Sequence, residues 1–70
     1  MQPHQERVVA EKADLDYKRA RLTSFIEGNT YRALDESEQS RLNKQLEVMR
    51  LYSNILGERI TAFNNVSVKG

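Results

Sequence analysis

The chain contains no cysteine and no tryptophan, and its seventy residues hold a single proline, a single histidine and three glycines. Without cysteine there is no disulfide, and with His4 as the sole imidazole no zinc site can be built from Cys and His. A lone histidine in the N-terminal stretch cannot serve a nucleophilic triad, and no glycine-rich phosphate loop is present. No enzyme, cofactor or metal is therefore expected.

Charge of one sign is also missing. Lys and Arg total 11 against 10 Asp and Glu, interspersed along the chain, so no basic field exists to follow a DNA or RNA backbone. No apolar run approaches the roughly 20 residues needed to cross a bilayer. The start, MQPHQERVV, lacks the basic and apolar segments of a signal peptide. These features lead to the expectation of a soluble, cytosolic protein.

What the sequence does have is helix. From about 5 to 27 there is no Gly or Pro, and Ala, Glu, Lys, Arg and Leu dominate. Pro3 fits the first turn, and Gly28-Asn29 reads as a stop, because both residues tolerate the left-handed conformation past a helix end. Asp35 followed by Glu38 reads as an N-cap with its capping-box partner, opening a second helix over about 36–63. A loop over 28–35 is short enough for the helices to fold back as an antiparallel hairpin. The tail 64–70 is expected to be irregular, and residues 1–70 form one domain.

Both helices carry more than one apolar face. In the second, Leu42, Leu46, Met49, Ser53, Leu56, Ile60 and Phe63 alternate steps of four and three, a heptad seam suited to the first helix. A second set, Val48, Leu51, Tyr52, Ile55 and Ala62, lies round the cylinder and would be exposed in a lone hairpin. In the first helix Val8, Leu15, Leu22 and Ile26 make one stripe, interrupted by Lys12 and Arg19, while Ala10, Ala13, Tyr17, Ala20 and Ser24 make another. Small residues at that spacing let another helix approach closely. A domain of this size has too little core to be comfortably stable alone, so the expected fold is all-α: an antiparallel two-helix hairpin assembling into a homo-oligomeric helical bundle.

Candidate binding residues lie on the second faces. Arg59 projects beside Tyr52, and its planar fork suits a carboxylate or phosphate while the Tyr ring can stack on a base or sugar. The plainer alternative is that Arg59 pairs with a Glu across an oligomer seam. Tyr17 with Arg21 repeats the aromatic-plus-Arg pattern, with Lys18 adjoining, and Tyr31-Arg32 is a third instance. In an oligomer such pairs could converge on one polar pocket. Carboxylates two apart, Asp14 with Asp16 and Glu36 with Glu38, do not share a helix face and read as solvated charge. Gly57 either permits a close helix approach or is tolerated drift.

The segments RVVAEKADLDYKRARLTSFIEG and LDESEQSRLNKQLEVMRLYSNILGERI resemble, over nearly the whole chain, a group of short phage and prophage proteins labelled after a crAss-like phage. The matching positions include Glu11, Lys12, Leu15, Asp16, Phe25, Ile26, Leu34, Asp35, Glu38, Gln39, Leu42, Gln45, Met49, Tyr52, Ser53, Leu56, Gly57, Arg59 and Ile60. In size and hairpin design the chain is similar to phage proteins of the anti-CBASS and anti-Thoeris kind, which sequester nucleotide second messengers in pockets between protomers. The resemblance implies a partner set of further copies of the chain and a small anionic nucleotide signal, a cyclic nucleotide or ADP-ribose derivative, in the host cytoplasm. Arg59 and Tyr52 would hold it, assisted by Tyr17, Lys18 and Arg21. The alternative is a helical module that docks on a host protein or takes part in phage assembly.

Overall fold

In a computed structural model the backbone is described over residues 1–69 and the side chains over 1–63. All regular structure among the described residues is helical: α1 (Pro3–Ile26), α2 (Asn29–Arg32) and α3 (Glu36–Lys69). Pro3 sits in the first turn of α1, where a missing N–H costs nothing, and the Gln2 N–H donates to Gln5 Oε1 at 3.0 Å.

The turn departs from the sequence expectation in its mechanism. Gly28 does not adopt a left-handed conformation; at φ −97° and ψ 175° it is extended and opens the four-residue α2 inside the expected loop. An extended residue breaks the helix as effectively as a left-handed one. The turn is then fastened to α3. Gln39 Nε2 donates to the carbonyls of Tyr31 and Leu34 at 2.9 and 3.3 Å, and Asn43 Nδ2 donates to the Tyr31 hydroxyl at 2.7 Å.

Asp35 caps α3 as expected, its Oδ1 accepting from the Glu38 N–H at 2.9 Å. The reciprocal half of the capping box is replaced by an ion pair, because the Glu38 carboxylate turns to Arg41 Nε at 2.8 Å. The expectation that α3 stops at 63 with an irregular tail is corrected, since the helix runs through Lys69. Between Gly57 and Gly70 no Gly or Pro is present to stop it. Gly70, the last residue of that tail, lies outside the described residues.

α1 and α3 pack antiparallel. The His4 and Phe63 rings meet edge to face at 6.3 Å, and Asp16 reaches Ser53 at 2.6 Å, so the N-terminal end of one helix lies beside the C-terminal part of the other. His4 is thus helical and in contact with α3. Buried or half-buried positions follow an unbroken heptad on each helix: Gln5, Val8, Lys12, Leu15, Arg19, Leu22 and Ile26 on α1, and Gln39, Leu42, Leu46, Met49, Ser53, Leu56, Ile60 and Phe63 on α3.

The core is thin. Of the apolar side chains only Val8, Leu15 and Leu56 count as buried among the described residues, with Met49, Ile60 and Phe63 packed round them. Burying one such side chain is worth about 1.5–3 kcal/mol, which must be set against the ordering of a long chain. The radius of gyration is 16.0 Å, where a compact domain of this length has about 11 Å, so the hairpin is a rod with little interior.

Candidate functional site

The seam holds a polar centre that organises one flank of the hairpin. Asp16 lies just beside the core line of α1, with Lys12 one turn before it and Arg19 one turn after. Lys12 Nζ donates to its Oδ2 at 2.7 Å, Arg19 Nη1 to its Oδ1 at 3.1 Å, and the Ser53 hydroxyl of α3 to Oδ1 at 2.6 Å. The Lys12 ammonium, the Ser53 hydroxyl and the Arg19 guanidinium together hold the Asp16 carboxyl down to about 2 against the drag of partial desolvation. Ser53 is 1% exposed, and this bond satisfies a hydroxyl that burial would otherwise penalise. The two basic residues that interrupt the apolar stripe of α1 are therefore part of the seam's chemistry.

Gly57 belongs to the same arrangement. A Cβ there would stand 3.3 Å from Lys12 Cε, so the glycine opens the space through which the lysine stem passes to Asp16. Beside it runs an open groove of about 610 Å³ lined by Lys12, Ser53, Asn54, Gly57, Glu58, Thr61 and Ala62. None of the five candidate binding residues lines it. With Lys12 committed to Asp16 and Glu58 on its wall, the groove offers an anion no free cation among the described residues.

The candidate residues lie elsewhere, on the outer surfaces. On α1 the Arg21 guanidinium stands 5.8 Å from the centre of the Tyr17 ring, within cation–π range, and Lys18 pairs with Asp14 at 3.1 Å. Tyr17 is 62% exposed. Tyr31 and Arg32 are structural, Tyr31 holding the turn and Arg32 Nη1 donating to Asn29 Oδ1 at 2.7 Å.

On α3, Val48, Leu51, Tyr52 and Ile55 are 63%, 48%, 41% and 54% exposed, and their spacing gathers them on one face. Arg59 lies on the same face one turn beyond Ile55, exposed and without an ion-pair partner among the described residues. Lys44, one turn before Val48, is likewise exposed and unpaired among the described residues. Arg41 and Arg50, by contrast, are neutralised by Glu38 and Glu47. Tyr52 and Arg59 thus share a surface within one chain, while Tyr17 and Arg21 stand on the outer side of the other helix. No group of three or more acidic or imidazole side chains among the described residues is placed to hold a metal ion.

Over residues 2–62, which take in α1, α2 and α3 as far as Ala62, the chain matches the family model described as Sequestin. The chain belongs to the Sequestin family. The matched residues include the Asp16 centre and the outer α3 face, and the family's name suggests sequestering. No curated protein and no solved structure matches the chain. Within the described residues no helix is long and apolar enough to cross a membrane.

The Asp16 centre was the part that the sequence reading missed. Lys12, Asp16 and Arg19 stand at i, i+4 and i+7 beside a serine at a heptad core position of the facing helix. That triplet was the available signal, but only the antiparallel register shows that Ser53 meets it.

Proposed function

We propose that the protein is a phage-encoded, non-enzymatic anti-defence protein that binds an immune second messenger, a cyclic nucleotide or an ADP-ribose derivative, between protomers and withholds it from a host effector. The family match over residues 2–62 carries this reading, since it takes in most of the hairpin and its name suggests sequestration. The outer α3 face supports it. Arg59 supplies an unneutralised guanidinium for phosphate, and Tyr52 an exposed ring for a base. From α1 of a further copy, Tyr17 and Arg21 would add a second ring and cation, with Lys18 beside them once it leaves its pair with Asp14.

A binder of this kind acts in the host cytoplasm by stoichiometry, so it needs affinity and abundance and no turnover. The test is to incubate the protein with a panel of cyclic oligonucleotides and cyclic ADP-ribose derivatives, remove free ligand, and recover bound ligand by heating. One panel member is expected to be retained, to raise the melting temperature and to be released unchanged. Retention of none, with no shift in melting temperature, contradicts the proposal. The exposure of Val48, Leu51 and Ile55 also favours a second reading, docking on a host protein, which predicts one stoichiometric protein partner and no retained small molecule.

A further inference from the structure

The outer face of α3 reads the same in both directions. From its centre, between Leu51 and Tyr52, each direction meets a β-branched aliphatic residue, Val48 or Ile55, and then an unpaired cation, Lys44 or Arg59. At 100° per residue these six positions fall within an arc of about 100°, and no acidic residue lies among them. A surface that repeats itself on reversal is what an isologous two-fold contact requires, because residue i must meet j while j meets i.

The chain also has surface to cover. Its accessible area is 5344 Å², against about 4,500 Å² for a compact monomer of this length. The excess is what a rod with one thin seam leaves in water; of its exposed large apolar side chains, Met1, Val9, Tyr17 and Phe25 lie on the N-terminal stretch and α1, while Val48, Leu51, Tyr52 and Ile55 gather on one face of α3.

We propose that two copies pair through α3 in antiparallel fashion about a two-fold axis between Leu51 and Tyr52. Arg59 of each protomer then meets the partner's Lys44, making two identical sites for a phosphate-bearing anion. Val48 packs on the partner's Ile55, and Leu51 on the partner's Tyr52. The sites lie about 22 Å apart along the helix, from the rise of 1.5 Å per residue. In each, two cations face one another at the rim of an apolar contact and repel until an anion enters between them. Pairing and anion binding are therefore coupled, and neither chain holds a complete site alone. Tyr52 lies at the axis, inboard of both sites, where a base joined to the bound phosphate can stack. The anion part deepens the functional reading above and rests on it; the pairing geometry does not.

The decisive variants reverse charge. R59E places a carboxylate opposite the partner's Lys44, so both rims become attractive; K44E does the same from the other side; the double variant K44E/R59E restores repulsion. All these side chains are exposed and unpaired, and circular dichroism should report unchanged helix content. In sedimentation equilibrium without ligand, each single variant is expected to dimerise about tenfold more tightly than the parent chain, and the double variant no more tightly than the parent. Inorganic pyrophosphate should strengthen the parent dimer and have no effect on R59E. Weaker or unchanged self-association of R59E, or its preferential pairing with the parent chain as a parallel contact would require, overturns the proposed pairing. If R59E does tighten while the nucleotide panel gives no retention, the pairing stands and the messenger reading fails. Failure of pyrophosphate to strengthen the parent dimer removes the anion sites.

Discussion

At the scale of single residues, Asp16 is the hinge of the structure's polar chemistry. Its carboxyl is held at about 2 by Lys12, Ser53 and Arg19, below the ordinary value of 3.8. Stability drawn from it is full above about pH 4 and is lost as the pH falls toward about 2, because the unfolded chain takes up the proton first. Carboxyl NMR titration should follow Asp16 through that window, and acid unfolding should begin there. Ser53→Ala removes one of the three donors. It should raise the Asp16 titration point and cost about 1 kcal/mol in urea unfolding. Gly57 offers an independent check. Gly57→Ile should push Lys12 away from Asp16 and raise the same titration point, since even a Cβ there stands only 3.3 Å from Lys12 Cε. These contacts were hidden in the sequence because Asp16 and Ser53 lie on different helices and their meeting depends on register. Asp16 looked like one more solvated acid beside Asp14, whereas Asp14 does pair only with exposed Lys18.

At the scale of the element, the two faces of α3 should respond to mutation in opposite ways. Leu56 is fully buried in the seam, and Leu56→Ala should cost about 2–5 kcal/mol, enough to unfold much of the population when followed by circular dichroism. Leu51 is 48% exposed, so Leu51→Ala should leave the stability of one chain within about 0.5 kcal/mol while weakening self-association measured by sedimentation. The heptad from Leu42 to Phe63 was legible because leucine, methionine and isoleucine recur at the right steps, and the structure leaves each of these positions buried or half-buried. The ends of the elements were less legible. Gly28 stops α1 through an extended conformation, and four residues of the expected loop form α2. Both outcomes depend on how Gln39 and Asn43 reach back to the turn, which propensity cannot express.

At the scale of the whole molecule, a thin rod that belongs to the Sequestin family exposes an apolar face flanked by two unneutralised cations. The family's name suggests sequestering, and the outer face of α3 is where, on our proposal, a second copy and an anion would meet. The outer face was visible in the sequence as a surplus of apolar positions. Lys44 was not, because its relation to Arg59 emerges only when the helix is read from both ends. If this surface holds the ligand, Arg59→Ala should abolish ligand retention while changing the melting temperature of the free protein little, since Arg59 is exposed and makes no ion pair. The most direct measurement is native mass spectrometry of the protein with the messenger panel, because it reads stoichiometry and bound ligand together. Sequestration between protomers predicts an oligomer carrying intact messenger, with both ligand and oligomer reduced in R59A. A monomer that carries no messenger under the same conditions would contradict it.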